Sequence, residues 1–130
     1  MDAFLSQKAY SRLKALGYLP FTGIPDGLLL GHRCAQRVFL EDIFPTQRGF
    51  FPGLQKYLEL DQIFEDKIQG FFSFQENSHP INKILAPFAF RKLFLKINGH
   101  SKDGLTMTSF LIEYDQDFKL DPIPLKIEAK

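Results

Sequence analysis

The chain has no tryptophan, one cysteine and no marked excess of charge of either sign. Each shortage excludes something. With Cys34 alone, no internal disulfide can form; that suits a reducing compartment, and cytoplasmic residence is the expectation. A net charge of +1, from 16 Lys and Arg against 15 Asp and Glu, argues against nucleic-acid binding through a broad basic surface. No stretch approaches the roughly 20 apolar residues that cross a bilayer. The opening residues, Met1-Asp2-Ala3-Phe4-Leu5, do not read as a secretory leader. Neither a nucleic acid nor a membrane is therefore expected as a partner.

What is abundant is phenylalanine, 15 in 130 residues, within a hydrophobic fraction of 45%. That supports one domain spanning residues 1–130 with a full core. Phe brings large buried area with no polar handle, so a surplus of it suggests an interaction face. The densest basic run, Arg91, Lys92 and Lys96, interleaves with Leu93, Phe94 and Leu95. On a strand this alternation predicts a half-exposed, solvated face.

Leu5, Ala9, Leu13 and Leu16 recur at helical spacing and predict a helix over 2–16, with Gly17 placed as a left-handed cap. Gly27–Cys34 predicts a buried strand, Ala35-Gln36 a turn, and Arg37–Ile43 its hairpin partner. Leu54–Asp66 predicts a second helix and Ile68–Gln75 an aromatic strand. Three strands close the chain, at Arg91–Ile97, Leu105–Tyr114 and Phe118–Ile127, with Pro122 and Pro124 pushing the last toward an edge. This order predicts an α/β protein of the α+β type: a mixed, largely antiparallel sheet flanked by helices.

The catalytic signatures are few. There is no Gly-x-Ser-x-Gly elbow, phosphate-cradling loop or dinucleotide fingerprint. His32, His79 and His100 lack metal-ligand spacing; His32 and Cys34 share a strand face, but two ligands make a weak site. Asp115, Asp117 and Asp121 read as a solvated hairpin tip, because Lys119 and Leu120 occupy places a calcium loop would give to oxygen donors.

The string Gly27-Leu-Leu-Leu-Gly-His-Arg followed by Val38-Phe-Leu-Glu-Asp-Ile-Phe-Pro-Thr resembles the opening hairpin of JAMM/MPN domains, the fold of zinc deubiquitinating peptidases. Ile68-Gln69-Gly70-Phe71-Phe72 resembles their next strand, and the element order is similar over most of the chain. The resemblance implies a JAMM/MPN-like fold, with cytidine-deaminase-like layering as a variant. It also implies a zinc site: a glutamate base, two histidines one residue apart, a serine and an aspartate. Carried onto this chain, those positions fall on Ile24, Ser73, Gln75, Ile84 and Pro87. None offers the needed chemistry. Shifting the match to Asn77-Ser78-His79-Pro80 recovers one histidine, with Phe88 and Arg91 where the serine and aspartate belong.

The resemblance thus implies a non-catalytic domain, without metal or other cofactor, that works as a protein-protein interaction or scaffolding module. A protein partner or a second copy of the chain is expected. The residues offered for that contact are Phe71, Phe72, Phe74, Phe88 and Phe90, with Phe50 and Phe51 adding to the surplus. Two alternatives stand beside it. One is a divergent zinc-dependent isopeptidase recruiting His79, His32 or His100 with Glu76 or Asp26. The other is an α+β domain that binds a small apolar ligand in a Phe-lined pocket.

Overall fold

The computed structural model describes residues 1–18, 26–46, 54–74, 90–101 and 104–128. Along them lie β1 (Asp2–Leu5), α1 (Gln7–Leu16), β2 (Gly27–Cys34), β3 (Arg37–Pro45), α2 (Leu54–Ile63) and β4 (Ile68–Phe74). Then follow β5 (Leu93–Ser101), β6 (Gly104–Asp115), β7 (Asp117–Ile123) and β8 (Leu125–Ile127). The strands form one sheet in the order β7-β6-β5-β4-β2-β3-β1-β8.

The two ends of that order are neighbours in the chain. Only Pro124 separates β7, which pairs antiparallel with β6, from β8, which pairs parallel with β1. One run of backbone thus bonds to both margins and nearly closes the sheet into a barrel. Proline has no N–H to give a ladder, but the Pro124 carbonyl accepts the Ala3 N–H at 2.9 Å. The Ser109 hydroxyl donates to the Ile123 carbonyl at 2.7 Å on the other side of the bend.

This architecture corrects the expected α/β layering. The described residues are mostly β, with eight strands in one mixed sheet and two short helices. It is neither the JAMM/MPN sandwich nor its cytidine-deaminase-like variant. The string that carried the resemblance is a local hairpin pattern. Strand order, parallel pairing and closure depend on partners far away in the chain, which a local pattern does not encode.

The hairpin itself forms as predicted, turning at Ala35 with φ 56°. The expected helix over 2–16 is instead a strand and a helix. Ser6 separates them: its hydroxyl oxygen accepts the Ala9 N–H at 3.0 Å, capping α1, and its O–H donates to the Glu41 carbonyl at 2.8 Å. Leu5 and Ala9 keep helical spacing because both enter the same core. Gly17 closes α1 at φ −65°, a right-handed conformation rather than the expected left-handed cap. The second helix stops at Ile63, short of Asp66, and Glu65 and Asp66 take φ of 52° and 62°.

Strand alternation sorts the apolar side chains onto two faces. Leu29, Leu40, Phe72, Leu93 and Leu95 line the inner face, where Ala9 and Leu13 of α1 pack among them. Leu28, Ile68, Phe71, Phe94 and Ile112 form an outer layer covered by Tyr57 and Leu60 of α2. Each helix serves one face, so the central strands are buried on both sides. Phe71, Phe72 and Phe74 are therefore 1%, 0% and 4% exposed, which removes them from the expected contact patch. Phe90 is 45% exposed, and Phe88, Phe50 and Phe51 lie outside the described residues.

Two substitutions test this packing. A Cβ on Gly31 would collide with the Phe39 backbone carbonyl across the hairpin, and backbone yields poorly. Gly31→Ala is expected to destabilise by about 1–3 kcal/mol, read from the urea midpoint. An unchanged midpoint would contradict the register of β2 on β3. Phe72→Ala, at the centre of the inner face, is expected to cost about 3–5 kcal/mol in the same titration; a loss under about 1 kcal/mol would place this ring outside the core.

Candidate functional site

At one end of the sheet, the end of β2, the start of β4 and the residues just before β5 come together around an open pocket of about 250 Å³. Its lining is Arg33, Gln69, Phe90, Arg91 and Lys92. Three of these five side chains are cationic in a protein of net charge +1. The composition hid this concentration because the charges come from separate parts of the chain.

Irregularities in the ladders shape the site. Leu29 pairs with Gly70, but Leu30 pairs with Ile68, so Gln69 is an extra residue on β4. Such a bulge re-aims a side chain. Gln69, only 8% exposed, lines the pocket and donates from its amide to the Gly31 carbonyl at 3.4 Å. Arg91 adopts φ 68°, unusual for a residue with a side chain. It is held there by its N–H to the Ile112 carbonyl at 2.7 Å, while Ile112 returns a bond to the Lys92 carbonyl at 2.9 Å. A conformation of this kind is sustained by its surroundings and is common at ligand sites.

The cations differ in how they are balanced. Arg91 pairs with Glu113 at 2.5 Å. Arg33 donates to the Arg91 backbone carbonyl at 2.5 Å and Lys92 to the Ile68 carbonyl at 2.7 Å. Among the described residues neither Arg33 nor Lys92 has a carboxylate within ion-pair distance. Burial, and then the charge of Arg91, lower the Arg33 pKa against the pull of Glu113. Burial likewise lowers that of Lys92; Asp61 and Asp66 pull it up, and Arg33 pushes it further down. Burial and a hydrogen bond with Asp66 raise the Asp61 pKa, with Lys92 opposing. The protonated forms of Arg33 and Lys92 are thus held at a cost that an anion in the pocket would offset.

A larger pocket, about 420 Å³, lies between Lys8, Leu30, Gly31, Glu41, Asp42, Phe64 and Lys67. Its charges are largely matched. Asp42 binds Arg12 at 2.5 Å and Lys8 at 3.1 Å. Glu41 meets His32 at 2.5 Å. Burial alone would raise the Asp42 pKa, but the Ile43 N–H, Arg12 and Lys8 together bring it below the usual carboxylate range. Its lining sets two lysines, Lys8 and Lys67, against two carboxylates, Glu41 and Asp42, so no excess of one sign collects there.

The positions suggested by the sequence do not converge. Ser73 is buried and its hydroxyl donates to the Phe74 carbonyl at 3.3 Å. Ile24, Gln75, Glu76, His79, Ile84 and Pro87 lie outside the described residues. His32 stacks on Phe39 at 5.0 Å, and Cys34 is exposed beside the turn. Asp26 is buried, and its carbonyl accepts the Thr46 N–H and hydroxyl, each at 2.8 Å. Among the described residues no group of three or more His, Cys, Asp or Glu is placed to hold a metal. Asp115 and Asp117 face each other at a hairpin tip around Gln116, as expected. The basic run divides: Lys96 lies half-buried within β5 as the alternation predicts, whereas Arg91 and Lys92 precede β5 and line the pocket. Arg33 and Gln69 were missed, and the pairing that brings them to Arg91 has no local signal.

The fold has a counterpart among solved structures. The solution structure of protein DSY2949 from Desulfitobacterium hafniense, a structural-genomics target, matches with a TM-score of 0.64. The match covers 98% of this chain and 95% of that one at 18% identity. At that identity the likeness speaks for the fold alone. No family model matches the chain, and no curated protein matches it in sequence. Nothing therefore supports a JAMM/MPN assignment, and with it goes the expectation of a lapsed zinc-peptidase site. No helix among the described residues is long and apolar enough to cross a membrane.

Lys92 ties the electrostatics to stability. Its folded pKa lies below its unfolded value of about 10.4, so between the two the unfolded chain binds more protons. Stability from this group therefore rises with pH across that window. The unfolding free energy of the native protein minus that of Lys92→Met is expected to grow as pH rises toward the value of about 10.4 set by the free side chain, as read by urea titration. Tyr57, which burial and then Asp61 and Asp66 push up to about 12, contributes the opposite slope at high pH in both proteins and cancels in the difference. A flat or falling difference would show that Lys92 is not strained as a cation.

Proposed function

We propose that this protein is a non-catalytic binding module that docks onto a protein partner by taking one of its anionic groups into the basic pocket. The observation that carries this reading is the convergence of Arg33, Arg91 and Lys92 on one open pocket, with only Arg91 ion-paired among the described residues. Arginine beside lysine suits oxyanions, because the guanidinium offers a planar fork of donors and the ammonium a point charge. Size supports a group rather than a whole small molecule: about 250 Å³ falls below the roughly 300–1,000 Å³ of pockets that enclose small ligands. The half-exposed Phe90 at the rim adds apolar contact area for the polymer that bears the group.

The test is a thermal melt at constant ionic strength in which chloride is replaced in turn by acetate, citrate, sulfate and phosphate. A ligand at about 100 times its Kd stabilises by about 2.7 kcal/mol, so at least one anion is expected to raise Tm by several degrees. The rise is expected to vanish in the Arg33→Gln/Lys92→Gln double variant. If no anion exceeds the chloride control, or if the double variant responds equally, the pocket is not the binding site.

A further inference from the structure

The charges around the pocket specify more than an anion. Arg91 is already neutralised by Glu113. Arg33 and Lys92 each spend a donor on a backbone carbonyl and meet no carboxylate at ion-pair distance among the described residues. That leaves two unmatched positive charges on one small space. Asp61 and Asp66 act on Lys92 from beyond ion-pair distance, so neither carboxylate occupies the space in front of its ammonium. A carboxylate brings one negative charge and a planar pair of oxygens. A phosphate monoester brings close to two and three terminal oxygens, which donors approaching from different directions can share.

Resting on the anion-docking reading above, we infer that the pocket takes a phosphate monoester dianion, borne on a phosphorylated side chain of the partner protein. Arg33 arrives from the end of β2 and Lys92 from the residue just before β5, so they approach the centre from separate segments. Both keep donors beyond the ones given to backbone. Arg91, held at positive φ and paired with Glu113, fixes the wall between them and accepts the Arg33 bond on its own carbonyl. Gln69, turned in by the bulge, brings a neutral amide to the same space.

Isothermal titration at pH 7.5 and fixed ionic strength compares N-acetyl-phosphoserine amide, N-acetyl-glutamate amide and inorganic phosphate. The phosphoserine compound is expected to bind at least tenfold tighter than the glutamate compound. Arg33→Gln and Lys92→Gln are each expected to weaken it at least tenfold with Tm retained, while Arg33→Lys keeps part of the affinity. Affinity is also expected to climb as the second phosphate proton leaves, near pH 6. The groups facing the ligand through that titration are Arg33, Arg91, Lys92, Glu113 and the Asp61–Asp66 pair. Equal binding of the glutamate compound would overturn the dianion inference and leave anion docking intact. Inorganic phosphate binding as tightly as phosphoserine would make free phosphate the ligand and overturn the phosphorylated side chain. Absence of binding by all three, together with the silent thermal melt described above, would sink both readings.

Discussion

Between Ile123 and Leu125 the backbone changes partners. Up to Ile123 it bonds to β6; from Leu125 it bonds to β1; and Pro124, with no N–H of its own, offers its carbonyl to Ala3. Everything else in the molecule is arranged around this transfer. A sheet of eight strands left open would present two unpaired margins, each a template for association. Here the two terminal strands, β7 and β8, are consecutive pieces of one run of backbone, which draws the margins together at Pro124. The near-closure also gives the sheet an inside, and that inside is where α1 buries Ala9 and Leu13. Tyr10 extends the hold, its hydroxyl accepting the Leu105 N–H at 3.2 Å from the far side of the sheet.

Curvature of this kind requires irregular ladders, and the irregularities are where the chemistry collects. The bulge at Gln69 and the register shift at Glu41 flank β2 on its two sides. The first aims an amide at the basic pocket; the second sets Glu41 beside His32 at the rim of the other pocket. Bulges thus bend the sheet and also place polar side chains on strands whose regular positions are apolar on both faces. The same logic explains why the pocket lies at the end of the sheet: Arg33, Gln69, Arg91 and Lys92 sit where the central apolar run of each strand has finished.

How much of the site was legible follows from these distances along the chain. Arg91 and Lys92 stood out as a basic run, yet their reading as a solvated face assumed that they lie within the strand. They precede it, and the turn at Arg91 directs them to a neighbour 58 residues away in sequence, Arg33. Gln69 lay unremarked within the predicted aromatic strand; only the register with β2 shows it as a bulge. The Phe cluster misled for a related reason. Phe71, Phe72 and Phe74 resemble a surface surplus if a strand has one wet face, but two helices on opposite faces leave it none.

By itself the sequence determined the elements whose information is local. The β2–β3 hairpin and its turn, α1, the strand from Ile68 and the hairpin tip at Gln116 follow from alternation, helical spacing and turn residues. It also excluded a disulfide framework and a broad basic surface through counts that no fold alters. The tertiary structure alone decided that Asp2–Leu5 is a strand, because its hydrogen-bond partners are Arg37–Leu40 and Leu125–Ile127. It alone decided that the sheet curls on itself, and that Arg33 shares one pocket with the Arg91–Lys92 pair. The physical reason is common to all three. Pairing between strands distant in sequence is chosen by the free energy of the whole assembly, and no local window contains it.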